Sequence, residues 1–187
     1  SQAGDGDRLA GAHGILLHPW TQVAICEAGA EHILSDGLGF DRCSVGVVLN
    51  VGATHLGHAH VETLDEMSVA KRCIVDVVLP TGTAVLNADD PLVAAMAGKS
   101  KGAVIFFTCD ANNPIAAAHR ASGERVVVLQ DGLISLTEGA EENALCPLAV
   151  VEMPEGGERH AVSILAAVAA AWAHGLPEAL IAEGLAG

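Results

Sequence analysis

The segment from residue 47 to residue 91 decides the fold: it opens with VVLNVGATHLG (47–57), passes through AKR (70–72) and closes with VLNADDP (85–91). The first and last of these pieces place polar residues directly after an apolar run. Continuous apolar runs of this length are typical of strands that are buried on both faces of a parallel sheet. Because ligands bind at the carboxyl ends of such strands, we expect these polar side chains to line one functional edge.

Strand and helix signals alternate over the first 110 residues. The patterns predict strands at residues 22–26, 43–51, 83–86 and 102–108, and a helix at residues 61–78. Pro91 suits the first turn of a further helix, with Asp90 as its N-cap. This alternation favours an α/β fold with a mostly parallel, doubly wound sheet and helices on both faces.

The pattern changes after about residue 110. Short strands are predicted at residues 125–129, 133–136 and 148–152, and the turn at 130–132 makes the first two a hairpin. Apolar residues recur at helical spacing over residues 158–174, and a last helical piece is predicted at 180–185. We therefore divide residues 1–187 into a parallel α/β part at about 1–110 and a small antiparallel hairpin patch with closing helices at 111–187.

Composition excludes several classes of partner. The formal charge of −14 argues against nucleic acid and against an anionic membrane surface as partners. Five cysteines without a C-x-x-C pair predict reduced, packed thiols in a cytoplasmic protein. The longest apolar stretch, residues 161–173, is too short to span a bilayer.

Two residues at predicted strand ends have side chains that can bind metal ions. Glu27 follows the first predicted strand, where its carboxylate could bind a metal ion or stabilise a helix N-terminus. His55 follows the second strand, and a neutral imidazole can ligate a divalent ion. A small metal-binding domain is one alternative, and it would use Glu27, Glu31, His32, His55, His58 and His60.

The order and spacing of these segments resemble the central domain of the Mur ligase superfamily, most closely the Mur-like part of cyanophycin synthetases. The likeness is carried by GLGFDRC (37–43), VAKR (69–72) and NADDP (87–91), and it covers residues 4–185. The phosphate-loop pattern G-x-x-x-x-G-K-[ST] does not occur in these residues. The resemblance therefore implies an incomplete central domain, with the phosphate loop upstream of Ser1 and a further domain downstream of Gly187.

The resemblance implies ATP and Mg²⁺ as cofactors and assigns roles to particular residues. Glu27 and His55 match positions that hold Mg²⁺, although Thr54 stands where the family has an Asp. Lys71 matches a catalytic lysine that carries a carbamate in many Mur ligases. Ser163 stands where the family has an Asn that touches adenine. The four residues assigned to cofactor binding are Asn87, Asp89, Asp90 and Ser163.

The function implied by the resemblance is that of part of an ATP-dependent amide ligase. Cyanophycin synthetases join arginine to the aspartate side chains of a poly-aspartate chain, and we expect this piece to be inactive without the remaining ligase domains or another protein chain. The departures from the family pattern leave open a degenerate, non-catalytic scaffold or assembly subunit. Apolar faces left uncovered would then favour self-association.

Overall fold

The computed structural model describes residues 14–151 and 157–186, except for the side chains of His55, His58 and residues 157–160. The strands of the described chain are β1 (Cys43–Val48), β2 (Val78–Asn87), β3 (Ala103–Thr108), β4 (Arg125–Gln130), β5 (Leu133–Glu138) and β6 (Glu141–Pro147). The α-helices with described bounds are α1 (Ala30–Ser35), α2 (Leu64–Asp76), α3 (Pro91–Ala94), α4 (Pro114–Ala121), α5 (Gly157–Ala173) and α6 (Glu178–Ala186). Short 3₁₀ turns lie at Ala53–His55, His58–His60, Ala95–Lys99 and Leu148–Val150.

The strands form one six-stranded sheet in the order β1-β2-β3-β4-β5-β6. β1 to β4 pair in parallel, while β5 and β6 add two antiparallel pairings. This mostly parallel α/β sheet with an antiparallel patch confirms the predicted fold class. The parallel part reaches β4 at residues 125–130, so it extends past the boundary predicted near residue 110.

Helices cover both faces of the sheet because successive side chains of a strand point to opposite faces. Leu86, Phe106 and Val126 are buried in the apolar cluster beneath α2, α3 and α4. Their neighbours Val85 and Ile105 are fully buried in a second cluster, which α5 and α6 close on the other face. The near-continuous apolar runs of the sequence are therefore explained by burial on two sides.

A capping box sets the start of α2 at Leu64, and not at residue 61 as predicted. The Thr63 hydroxyl accepts the Glu66 N–H at 3.2 Å, and the Glu66 carboxylate accepts the Thr63 N–H at 3.0 Å. The backbone N–H groups of Glu62 and Thr63, which both donate to the Glu66 carboxylate, hold the pKa of Glu66 below its usual range. The reciprocal bonds satisfy donors that the first turn of a helix leaves without partners.

The predicted hairpin is confirmed, with its turn at Asp131 and Gly132. Their φ angles of 51° and 78° are both positive, as a two-residue type I′ turn requires. The predicted closing helices are also confirmed as α5 and α6.

Two predicted strands are wrong. Residues 22–26 form no strand, and the side chains of Val23 and Ile25 are 58% and 94% exposed, because no neighbouring strand of the described chain pairs with this segment. Residues 148–150 form a 3₁₀ turn, and the third antiparallel strand is β6 instead. β6 was missed because most of its side chains are exposed and two are Glu, which is usual at a sheet edge.

Two further expectations concern the thiols and the membrane. All five cysteines are partly buried thiols outside any disulfide, as predicted, and burial raises the pKa of the thiols of Cys43, Cys73 and Cys146. Among residues 14–151 and 157–186, no helix is both long and apolar enough to cross a bilayer.

Candidate functional site at the carboxyl edge of the sheet

The backbone just after β1 is held by side chains from three other elements. β1 ends at Val48, and residues 49–51 follow it without regular secondary structure, beyond the strand ladder. Three hydrogen bonds fix them: Asn87 Nδ2 donates to Leu49 O at 2.9 Å, Lys71 Nζ donates to Asn50 O at 2.8 Å, and Val51 N donates to Asp90 Oδ2 at 2.7 Å. The end of β2, helix α2 and the cap of α3 therefore meet at the carboxyl end of β1.

Lys71 is the cationic group at the carboxyl end of β1. Its Nζ donates to the Asn50 carbonyl and also lies 3.5 Å from the side-chain Oδ1 of Asn50. Burial lowers the pKa of Lys71, and the negative charge of Asp90 opposes this by raising the pKa. An amine with a lowered pKa has a larger neutral fraction at a given pH, so Lys71 can serve as a cation or react as a nucleophile.

A second hydrogen-bond network, centred on the Asp89 carboxylate, connects the ends of β2 and β3. Its carboxylate accepts hydrogen bonds from the Thr108 hydroxyl, from Cys109 N at 2.7 Å and from Asn113 Nδ2 at 2.9 Å. Asn113 Nδ2 also donates to Ala88 O at 3.0 Å. The carboxylate of Asp89 is therefore surrounded by donors of the fold itself.

The residues assigned from the sequence fall into two groups. Lys71, Asn87 and Asp90 meet at residues 49–51, with Asp89 in the adjacent network. Asn87 is only 6% exposed and uses its side-chain oxygen to accept the N–H of Asp89 at 2.9 Å. Internal hydrogen bonds thus engage the side chains of all three residues assigned at the β2 end.

The other assigned residues lie apart from this meeting point. Ser163 is exposed on α5, on the sheet face opposite α2, so the sheet separates it from Lys71. Glu27 is exposed in an irregular segment before α1, and it does not follow a strand as predicted. The backbone of His55 lies in the 3₁₀ turn after β1, while its side chain is outside the described residues.

The described residues contain no cluster of three or more His, Cys, Asp or Glu that could hold a metal ion. The side chains of His55 and His58, on which the metal-binding alternative depends, lie outside that description. The turn that carries His58 has positive φ angles at Ala59 (50°) and His60 (64°), an uncommon conformation for residues other than glycine.

Sequence reasoning missed two residues of this edge: Thr108 and Asn113. One of them had a readable signal. Asn113 caps α4 by accepting the N–H groups of Ile115 and Ala116, with Pro114 in the first turn. This repeats the Asp90-Pro91 pattern after the preceding strand, so the sequence marks two successive strand-to-helix junctions. The contact of the Thr108 hydroxyl with Asp89 spans 19 residues and leaves no such signal.

The Mur ligase middle domain family matches residues 15–171. The chain belongs to this family. Like the resemblance found from its motifs, the match spans both the parallel part of the sheet and the antiparallel patch.

Curated relatives of this Mur ligase middle domain include cyanophycin synthetases and UDP-N-acetylmuramoylalanine–D-glutamate ligases. The chain is 39% identical over 186 residues to a cyanophycin synthetase from Synechocystis sp., which covers 98% of this chain and 21% of the relative. It is 32% identical over 144 residues to a UDP-N-acetylmuramoylalanine–D-glutamate ligase from Desulfitobacterium hafniense, covering 77% of this chain and 29% of the relative. The chain thus spans about a fifth of the length of the cyanophycin synthetase. These matches favour neither the scaffold nor the metal-binding alternative.

A solved structure supports the fold. MurF from Acinetobacter baumannii matches with a TM-score of 0.53 and 21% identity, covering 86% of this chain and 31% of that one. At that identity the match concerns the fold and carries no statement about substrate.

Proposed function

We propose that this domain is part of an ATP-dependent amide ligase of the cyanophycin synthetase type, which joins arginine to the aspartate side chains of a poly-aspartate chain. It would work with further ligase domains, since the Synechocystis cyanophycin synthetase is about five times as long. The observation that carries the proposal is Lys71, a partly buried cation held at the carboxyl end of β1 by the Asn50 carbonyl. This is the edge of a parallel sheet at which ligands bind.

The proposed reaction has two steps. A substrate carboxylate oxygen attacks the γ-phosphorus of ATP, and ADP leaves. The arginine amine nitrogen then attacks the carbonyl carbon of the acyl phosphate, inorganic phosphate leaves, and the amine loses a proton as the amide forms. Negative charge on the phosphoryl oxygens is stabilised by fixed cations, and the Lys71 ammonium would supply one of them.

The residues of this domain are compatible with Mg²⁺ that is held jointly by the protein and by substrate phosphates. Mg²⁺ commonly keeps several waters and takes one or two protein carboxylates together with substrate phosphates, so a dedicated cluster of acids is not required. Glu27 offers an exposed carboxylate for this purpose, and His55 is the second residue we propose for it. Bound Mg²⁺ would neutralise phosphate charge. Asp89 and Asp90 are less suited, because internal donors already occupy their oxygens.

A segment exchange tests the proposal. The matching segment of the Synechocystis cyanophycin synthetase would be replaced by this chain, and arginine-dependent ATP turnover would be measured with a poly-aspartate primer. We expect measurable turnover in the chimera. Lys71→Met should lower it by about 100-fold, equivalent to about 2.7 kcal/mol of transition-state stabilisation. The matched control Lys99→Met changes an exposed lysine and should leave turnover within about twofold.

Two results would contradict the proposal. One is a folded chimera without arginine-dependent turnover, which would favour the non-catalytic alternative. The other is equal turnover in the Lys71→Met and Lys99→Met chimeras, which would remove Lys71 from the chemistry. Calorimetric titration of the chain itself with ATP and Mg²⁺ would show whether it binds the nucleotide without other domains.

A further inference from the structure

The segment at residues 49–51 depends on side chains for its position. The parallel register of β1 with β2 ends at the pair Val48 and Leu86. Beyond that pair, the hydrogen bonds that hold residues 49–51 come from the side chains of Asn87, Lys71 and Asp90. Removing one of these side chains therefore removes a restraint on backbone that lies beyond the paired part of β1.

Asp90 links this segment to a helix through a single carboxylate. Its Oδ1 accepts Leu92 N at 3.0 Å and Val93 N at 3.3 Å, which caps α3. Its Oδ2 accepts Val51 N at 2.7 Å, a contact across 39 residues of sequence. The cap needs only one of the two oxygens, so the second is available to fix residue 51.

We propose that Asp90 is a positioning residue that acts on Lys71 through the backbone of residues 49–51. By holding Val51, it keeps the carbonyl of Asn50 directed at the Lys71 ammonium, and Asn87 supports the same segment from the other side. The catalytic consequence rests on the proposed function, while the structural link does not. This role differs from cofactor binding, because three backbone N–H groups already occupy the two carboxylate oxygens of Asp90.

The direct test is the reactivity of Lys71 in the purified chain without nucleotide. An amine-reactive reagent at low conversion and fixed neutral pH would label the three lysines, and peptide mass spectrometry would give the ratio of Lys71 to exposed Lys99. In Asp90→Asn, the amide oxygen can still cap α3, but the amide NH₂ would face the Val51 N–H, donor against donor. We expect the ratio to rise at least about threefold, because the segment that binds the Lys71 ammonium is released.

Two controls test loss of net charge and loss of stability. Asp76→Asn removes one negative charge from the exposed end of α2, where Asp76 pairs with Arg72. Thr137→Val removes a buried hydrogen bond from the Thr137 hydroxyl to the Val126 carbonyl, between β5 and β4 and away from residues 49–51. Both should leave the labelling ratio at the wild-type value when measured well below their melting temperatures.

Because Asp90→Asn also removes the charge that raises the pKa of Lys71, the uncharged change Asn87→Ala, which frees the Leu49 carbonyl, tests release of the segment alone. We expect Asn87→Ala to raise the ratio as well, and an unchanged ratio would overturn the inference.

The labelling ratio decides the inference. A ratio in folded Asp90→Asn equal to that of the two controls would overturn it, even if the chimera is active and depends on Lys71. A raised ratio beside an inactive chimera would support the positioning role and contradict the proposed function instead. If Asp90→Asn does not fold, Asp90→Ser tests the same point, because a serine hydroxyl caps a helix but supplies no second oxygen for Val51.

In an active chimera, Asp90→Asn gives a further readout. A residue that positions Lys71 for the charge that develops in the reaction should lower kcat more than it raises KM for ATP. A change confined to KM would contradict positioning and favour direct nucleotide binding by Asp90.

Discussion

Two hydrogen-bond networks lie side by side at the carboxyl edge of the sheet, and they treat charge differently. At the ends of β1 and β2, the Lys71 ammonium is bound by oxygens of Asn50, which are neutral, so its charge is not cancelled by a directly bound acid. At the ends of β2 and β3, the Asp89 carboxylate is surrounded by the donors of Thr108, Cys109 and Asn113. The first network leaves a charge available for a ligand, whereas the second uses its charge to hold the fold.

The largest expected effect comes from breaking the second network at its centre. Asp89→Ala leaves a hydroxyl, a backbone N–H and an amide NH₂ without their acceptor, and we expect the free energy of unfolding to fall by about 3 kcal/mol. Urea denaturation measures it. The control Asp110→Ala, whose Oδ1 accepts the N–H of Asn112, should cost about 1 kcal/mol or less. Equal losses of unfolding free energy in Asp89→Ala and Asp110→Ala would contradict a special role of the Asp89 network in stability.

Removing the partner of Asp89 on α4 should have a smaller effect. Asn113→Ala deletes the cap of α4 and the bond to the Ala88 carbonyl, and Asn113 is 8% exposed. We expect a loss of about 2 kcal/mol in the free energy of unfolding. The neighbouring exposed residue gives a matched control, since Asn112→Ala should change stability by less than about 0.5 kcal/mol. A loss as small as that of the control would show that the second network contributes little to stability.

The first network should contribute less to stability than the second. Lys71→Met keeps most of the apolar stem and loses the bond to the Asn50 carbonyl, and we expect a loss of at most about 1 kcal/mol. Thermal or urea unfolding beside Lys99→Met checks this value. A loss as large as that of Asp89→Ala would mean that Lys71 is a structural residue, and the contrast between the two networks would fail.

The smallest effect concerns pH. Burial lowers the pKa of Lys71 below its ordinary value near 10.5, so the unfolded chain binds this proton more tightly than the folded chain. Between the folded and unfolded pKa values the unfolded state holds more protons, and stability therefore rises with pH across that interval. The contribution is measured as the difference in the free energy of unfolding between wild type and Lys71→Met across alkaline pH.

That difference cancels the contribution of the buried thiols, which has the opposite sign. Their pKa values are raised, so the stability they contribute falls as pH rises through the alkaline range. A difference that stays flat, or that falls with pH, would contradict the lowered pKa of Lys71.

The sequence by itself determined the features that depend on neighbouring residues. The cap and proline at Asp90-Pro91, the Asp131-Gly132 turn and the period of α5 were predicted because each is a local preference of a few adjacent residues. The motif spacing was equally sufficient to identify the Mur ligase middle domain. The apolar run at residues 22–26 led to a wrong strand prediction, because a strand also needs a partner strand, which no local pattern supplies.

The tertiary structure alone decided which polar residue does what. Asp89 and Asp90 are adjacent and chemically identical, yet one closes the ends of β2 and β3 while the other caps α3 and holds Val51. Lys71 meets Asn50 across 21 residues of sequence, with a pKa set by the burial that the assembled fold imposes. Hydrogen-bond partners and desolvation are properties of elements brought together from distant parts of the chain, so no single segment of the sequence contains them.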